Sequence, residues 1–96
     1  MLELRPSCEL CDRDLPPEST EAMICTFECT FCAGCVRQTL FNVCPNCGGG
    51  FVPRPIRPRE PLSRNPSSTR RVHKPLDTAR HATFLSRYRD VPPEQR

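Results

Sequence analysis

Apolar residues occur along this chain in short bursts separated by polar or proline-broken runs. Between Glu21 and Phe31, Met23, Ile24, Thr26, Phe27, Thr30 and Phe31 all tolerate extended backbone, which suits two short strands folded at Phe27 and Glu28. From Ala33 to Asn42 there is no proline, and Val36 and Leu40 stand one helical turn apart. That spacing predicts a short helix closed by Asn42 and Val43. Only one later stretch has a helical period. Asp77 or Thr78 can cap a segment reaching Arg89 in which Ala79, Ala82, Leu85 and Tyr88 fall near one stripe, with Pro92 and Pro93 beyond its end. A helix of that length is marginal alone in water and needs a surface to rest on.

The rest of the chain reads as connection. Pro16 and Pro17 exclude helix from the loop after the first cysteine pair. Gly48, Gly49 and Gly50 read as a hinge, because three glycines are costly to order. Proline at 53, 55, 58, 61 and 66 favours extended polyproline II or disorder, and a polar run follows to Pro75. The expected organisation is a module at residues 1–50, a Pro/Arg-rich linker at 51–76, and a short helix with a disordered end at 77–96. Phe27, Phe31, Val36, Leu40 and Phe41 are the expected miniature core.

Composition shows why that core needs help. The chain has 96 residues with twelve prolines, one tyrosine and no tryptophan, so burial alone barely offsets the entropy of ordering it. Its eight cysteines, all between Cys8 and Cys47, supply the staple. The N-terminus has no basic region followed by an apolar run, and no run of roughly eighteen apolar residues occurs to span a bilayer. A soluble cytoplasmic protein is expected, and in a reducing cytosol clustered cysteines point to metal before disulfides.

Charge is unevenly placed. Residues 1–50 carry three arginines against seven acidic residues, a net −4, and residues 51–96 carry eleven Lys and Arg against four acidic residues, a net +7. Two Zn²⁺ ions on eight thiolates take the N-terminal half to about −8. The basic character therefore belongs to the tail.

A Cys-x-x-Cys turn brings two sulfurs to one side, and Zn²⁺ accepts four thiolates tetrahedrally at about 2.3 Å. Eight cysteines make two such sets with none left over. Sequential use would join Cys8, Cys11, Cys25 and Cys29, then Cys32, Cys35, Cys44 and Cys47. Interleaved use would join Cys8, Cys11, Cys32 and Cys35, then Cys25, Cys29, Cys44 and Cys47. The second scheme is preferred, since it puts Cys32 and Cys35 at a helix N-terminus, where amide groups and the helix dipole stabilise thiolate charge.

The order Cys8xxCys11, Cys25xxxCys29xxCys32xxCys35, Cys44ProAsnCys47 resembles the RING finger, with Cys29 at a position usually held by histidine. Phe31 before Cys32 and the closing Cys44ProAsnCys47 are similar to that family's central and final runs. The resemblance implies a small metal-stabilised α+β fold, a RING-like cross-braced treble clef with one β-hairpin, one helix and two Zn²⁺ per chain. It also puts Leu10 where RING ubiquitin ligases contact the ubiquitin-conjugating enzyme. The ligase pattern is incomplete here: the helix lacks tryptophan, and Gly48 follows the last ligand where a basic residue is common. The opening MLELRPSCELCDRDLPPES, with ICTFECTFC, also resembles a family of small bacterial cysteine-rich proteins catalogued as a domain of unknown function.

Closed four-thiolate sites leave no position for water or substrate, so the expectation is a non-catalytic interaction or adaptor module with a protein partner at Leu10, no small-molecule substrate and no membrane contact. His73 and His81 read as solvated tail residues. A second reading gives the tail to nucleic acid, with Arg54, Arg57, Arg59, Arg64, Arg70, Arg71 and Lys74 following a phosphate backbone. A third, enzymatic reading is a RING-type ubiquitin ligase.

Overall fold

Strands β1 (Ala22–Ile24) and β2 (Thr30–Cys32) form an antiparallel hairpin in the computed structural model, which describes residues 1–96. Ala22 pairs with Cys32 and Ile24 with Thr30. The turn closes through Glu28, whose φ of 63° is left-handed and whose N–H donates to the Cys25 carbonyl at 3.0 Å. Helix α1 (Ala33–Cys35) begins directly after β2 and continues as a π-helical turn (Val36–Leu40). The helical stretch is the one the spacing predicts, but its second half is wound wider. Phe41 and Asn42, both left-handed, end it.

Two of the five expected core residues lie outside. Phe27 sits at the hairpin tip and is 70% exposed; Phe41, turned outward by its left-handed backbone, carries the Arg89 guanidinium 4.0 Å above its ring. Phe31, Val36 and Leu40 are buried as expected, but they share the core with Leu15, Ala22, Phe51 and five of the cysteines. Phe31 and Phe51 meet edge to face, with centroids 5.4 Å apart. The core is thus built around sulfur, as the shortage of large apolar residues requires.

The proline-rich stretch is ordered in two places. Strand β3 (Val52–Pro53) pairs antiparallel with β1, making a three-stranded sheet in the order β2-β1-β3. Proline is tolerated there because β3 is an edge strand. Helix α2 (Arg59–Arg64) contains Pro61 in its first turn, where the missing N–H would have had no intrahelical partner.

Helix α3 (Thr78–Tyr88) is capped by Asp77, whose carboxylate accepts from the Arg80 N–H at 3.0 Å. Its inward face is not the expected stripe. His81, Phe84, Leu85 and Tyr88 face the module, whereas Ala79 and Ala82 are exposed. His81, expected in solvent, is only 3% exposed and donates from Nε2 to the Val43 carbonyl at 3.0 Å. The seat of α3 is the glycine run. Gly48 has φ +79°, and a Cβ there would lie 2.9 Å from Tyr88 Cε2; a Cβ on Gly50 would lie 2.6 Å from Pro93 Cγ. Glycine is needed at 48 and 50 for close approach, and the hinge reading is corrected. Beyond α3, where no order was expected, Pro93–Gln95 form a 3-10 turn and Arg96 donates to the carbonyls of Asn42 and Gly48. No helix is long and apolar enough to cross a membrane.

Candidate metal centre

Three short loops and one strand-to-helix junction deliver the eight cysteines. In the Cys8 and Cys44 loops, the residue four places on donates its N–H to the cysteine carbonyl: Asp12 to Cys8 at 2.9 Å, Gly48 to Cys44 at 2.8 Å. Asp12 and Gly48, like Glu28 in the third loop, have positive φ. Each chain reversal therefore passes through one left-handed residue, which Gly adopts freely and Asp more readily than most. The fourth pair lies at the β2–α1 junction, with Cys32 as the extended N-cap of the helix.

The first loop is pinned to the sheet through Glu9. Its N–H donates to the Thr30 carbonyl at 2.9 Å, and its buried carboxylate accepts from the Thr30 N–H at 2.6 Å and from Arg5 Nη1 at 3.0 Å. Cys8 and Cys11 are thereby set opposite Cys32 and Cys35. The four sulfurs all lie within 4.8 Å of one another. The interleaved scheme describes this group, and the sequential one does not. A tetrahedron with metal–sulfur bonds of about 2.3 Å has edges of about 3.8 Å, and Cys11 Sγ and Cys32 Sγ are 3.8 Å apart. The donor set fits a four-thiolate metal ion.

Cys25, Cys44 and Cys47 form a second group within the same 4.8 Å limit. Cys29, the fourth cysteine of the interleaved scheme, is outside that limit. The two groups could each hold a metal ion. Asn46 Nδ2 donates to Cys29 Sγ at 3.4 Å and the Gly49 N–H to Cys47 Sγ at 3.4 Å. These two donors were missed in the sequence, although an asparagine between two cysteines is a short polar side chain well placed to reach a sulfur.

The thiols divide by environment. Donation from the Cys29 and Cys44 thiols, and then from nearby amides, pulls Cys25 down to about 3 against the effect of burial. Cys44 is pushed far up, first as donor to Cys25 and Cys29 and then by burial. Burial raises Cys8 and Cys35. Burial also opposes ionisation of Cys32, but the Cys35 amide and the neighbouring thiols outweigh it and leave Cys32 lowered. Each group thus holds thiols on both sides of the ordinary range, ready to share protons or release them to a metal.

The proposed phosphate-contacting residues do not form one surface. Arg54 is 5% exposed, with its guanidinium donating to the carbonyls of Arg5, Leu15 and Pro16. It leaves that set: directly after β3 its N–H donates to the Ala22 carbonyl, its side chain is buried, and burial lowers its pKa without a carboxylate partner. Arg57 donates to the carbonyls of Asn65 and Leu2, Arg64 pairs with Glu60, and Arg70 pairs with Glu3. Arg71 pairs with Asp12 and Asp14; Arg59 and Lys74 are exposed. Leu10 is half-buried, packed against the core next to Leu76 of the tail, and its carbonyl accepts from His73 Nε2 at 3.2 Å.

A hairpin, a short helix and interleaved cysteine groups define a small α+β module of the metal-binding kind. The chain belongs to the family described as "Protein of unknown function (DUF1272)", which matches residues 1–57 and so includes every cysteine. It is 65% identical over 79 residues to "Uncharacterized protein R02474" of Rhizobium meliloti (strain 1021), covering 82% of this chain and 94% of that protein. No solved structure matches it significantly.

Proposed function

We propose that this protein is a two-zinc, RING-like interaction module with no catalytic centre of its own. One observation carries the reading: Cys8, Cys11, Cys32 and Cys35 converge as a complete four-thiol set spaced for one tetrahedral ion, with a second cysteine group interleaved in the chain. Four thiolates complete the shell that Zn²⁺ prefers in structural sites and leave no place for a reacting water. Zinc bound there fixes the loops, and the loops fix the hairpin and helix. Metal binding is then part of the folding free energy. What the fold presents to a partner is the surface around Leu10.

Metal analysis of protein purified without added metal tests this reading. Two zinc ions per chain are expected; one metal per chain, or iron in both sites, would overturn it. A nucleic-acid reading keeps one observation in its favour. Arg80, Arg87 and Arg89 of the α3 region make no ion pair, and Arg80 and Arg87 lie over the rings of Phe84 and Tyr88. A gel shift that weakens steeply with salt and is lost in an Arg80→Ala, Arg87→Ala, Arg89→Ala chain would favour that reading over a protein partner.

A further inference from the structure

Residues 67–77 have no regular secondary structure and lie outside the part of the chain matched by the family. They cross the first cysteine loop as a strap. The Ser68 N–H donates to the carbonyls of Glu3 and Leu4. The Arg71 guanidinium forks onto the acidic loop: Nε donates to Asp12 Oδ1 at 2.9 Å, and Nη2 donates to the Asp12 carbonyl and to Asp14 Oδ1, each at 2.7 Å. His73 Nε2 donates to the Leu10 carbonyl, and the Lys74 N–H donates to the Glu9 carbonyl at 3.0 Å. Leu76 packs beside Leu10 against the core.

These contacts have the chemistry of peptide recognition. One main-chain bond sets the register, an arginine fork reads two carboxylates, and an aliphatic side chain is the anchor. The charge is complementary, a basic strap on the acidic half of the chain. The contacts are also easily exchanged. Arg71, His73 and Lys74 are exposed, and ion pairs at such positions are weak and screened by salt. The flanks have their own anchors, at Ser68 on one side and at His81 and Tyr88 on the other.

We propose that the face formed by Glu9, Leu10, Asp12 and Asp14 is a peptide-binding site that the chain's own strap occupies, and that the partner is a protein presenting an extended basic segment of the same kind. That segment carries arginine, a histidine or lysine two to three residues later, and an aliphatic residue five after the arginine, as Arg71, His73, Lys74 and Leu76 do here. The partner displaces the strap. This rests on the interaction-module reading and names the chemistry of the partner at its Leu10 surface.

The test uses the full zinc-loaded chain and a fluorescein-labelled heptapeptide with the sequence of residues 70–76, followed by anisotropy. In the wild-type chain the tethered strap competes at roughly millimolar effective concentration. Arg71→Glu sets a carboxylate against Asp12 and Asp14 and empties the site. The variant should bind the peptide at least about ten-fold tighter than the wild type. A peptide carrying Arg71→Ala should lose that gain. A chain whose residues 70–76 are replaced by glycine and serine should match the Arg71→Glu chain, which covers a folding fault in the point variant. Equal affinity for wild-type and strap-altered chains, or binding indifferent to the peptide's Arg71→Ala change, overturns the proposal. Metal content is measured on the same samples. Two zinc ions without a peptide gain sink the strap proposal alone, whereas absence of zinc sinks the module reading beneath it.

Discussion

The ring of Tyr88 occupies the space into which a side chain on Gly48 would grow, with Tyr88 Cε2 2.9 Å from the position of a Cβ. This contact joins the last cysteine loop to the C-terminal helix across forty residues of sequence. Gly48→Ala would combine a clash with a φ of +79° that alanine rarely adopts. A loss of about 1–3 kcal/mol is expected. Thermal melting should show it, and limited proteolysis should cut in α3 first; unchanged stability would mean that the helix has another seat.

Arg54 is a second tie between distant segments, holding three carbonyls of residues 5–16 beside β3. Arg54→Met keeps the apolar stem but leaves those carbonyls without their donor. A cost of about 2–4 kcal/mol follows from leaving one buried and two partly buried acceptors without their donor. Lysine should rescue little, because one ammonium cannot reproduce the planar fork. Urea unfolding of the two variants measures both effects.

Removing metal should unfold the module. Circular dichroism in excess chelator is expected to lose the signal of the hairpin and helix and to recover it on adding zinc. Native-like signal with no metal bound would show that the small core suffices without it.

The two cysteine groups should also fail separately in composition. Cys11 is exposed in the first group, and Cys44 is fully buried in the second. Cys11→Ser is expected to retain one zinc per chain with the second group intact. Cys44→Ser should damage the core as well as its site, and so lower the melting temperature further. Elemental analysis paired with melting curves distinguishes the two.

Metal uptake should release close to eight protons for two ions, since removing metal unfolds the module and leaves thiols that are protonated at neutral pH. Within the fold, burial raises Cys8 and Cys35, and donation to the neighbouring thiols raises Cys44, so these three ionise there only when a metal takes the proton's place. Lowering the pH favours the protonated thiols, and the apparent zinc affinity should fall. Calorimetry in two buffers of different ionisation enthalpy counts the protons, and release of far fewer than eight would show thiolates standing ready in a folded metal-free chain.

The hairpin and the helix after it were legible in the sequence, because cysteine spacing and a proline-free run with Val36 and Leu40 constrain them locally. The interleaving had a physical argument in its favour but was one of two schemes. What the sequence concealed depends on contacts between distant residues. Phe27 and Phe31 look alike in a β-tolerant run, and only the position of the hairpin tip exposes one and buries the other. His81 has no local signal of burial, since its partner is a carbonyl at Val43. Proline density argued against structure in residues 51–66, yet an edge strand and a first helical turn are places where a missing N–H costs little. Three adjacent glycines carry no local sign of the Tyr88 and Pro93 rings that pack against Gly48 and Gly50.

The overlap of the two cysteine groups makes the module indivisible. Cys25 and Cys29 lie between the two pairs of the first group, and Cys32 and Cys35 lie between those of the second. A backbone cut anywhere from Cys11 to Cys44 therefore separates members of at least one group. Metal would hold the fragments of a nicked chain together as one particle, which chelation would part. Neither half can be inherited, deleted or shuffled as a working finger, and shortening past Cys8 or Cys47 takes a ligand with it.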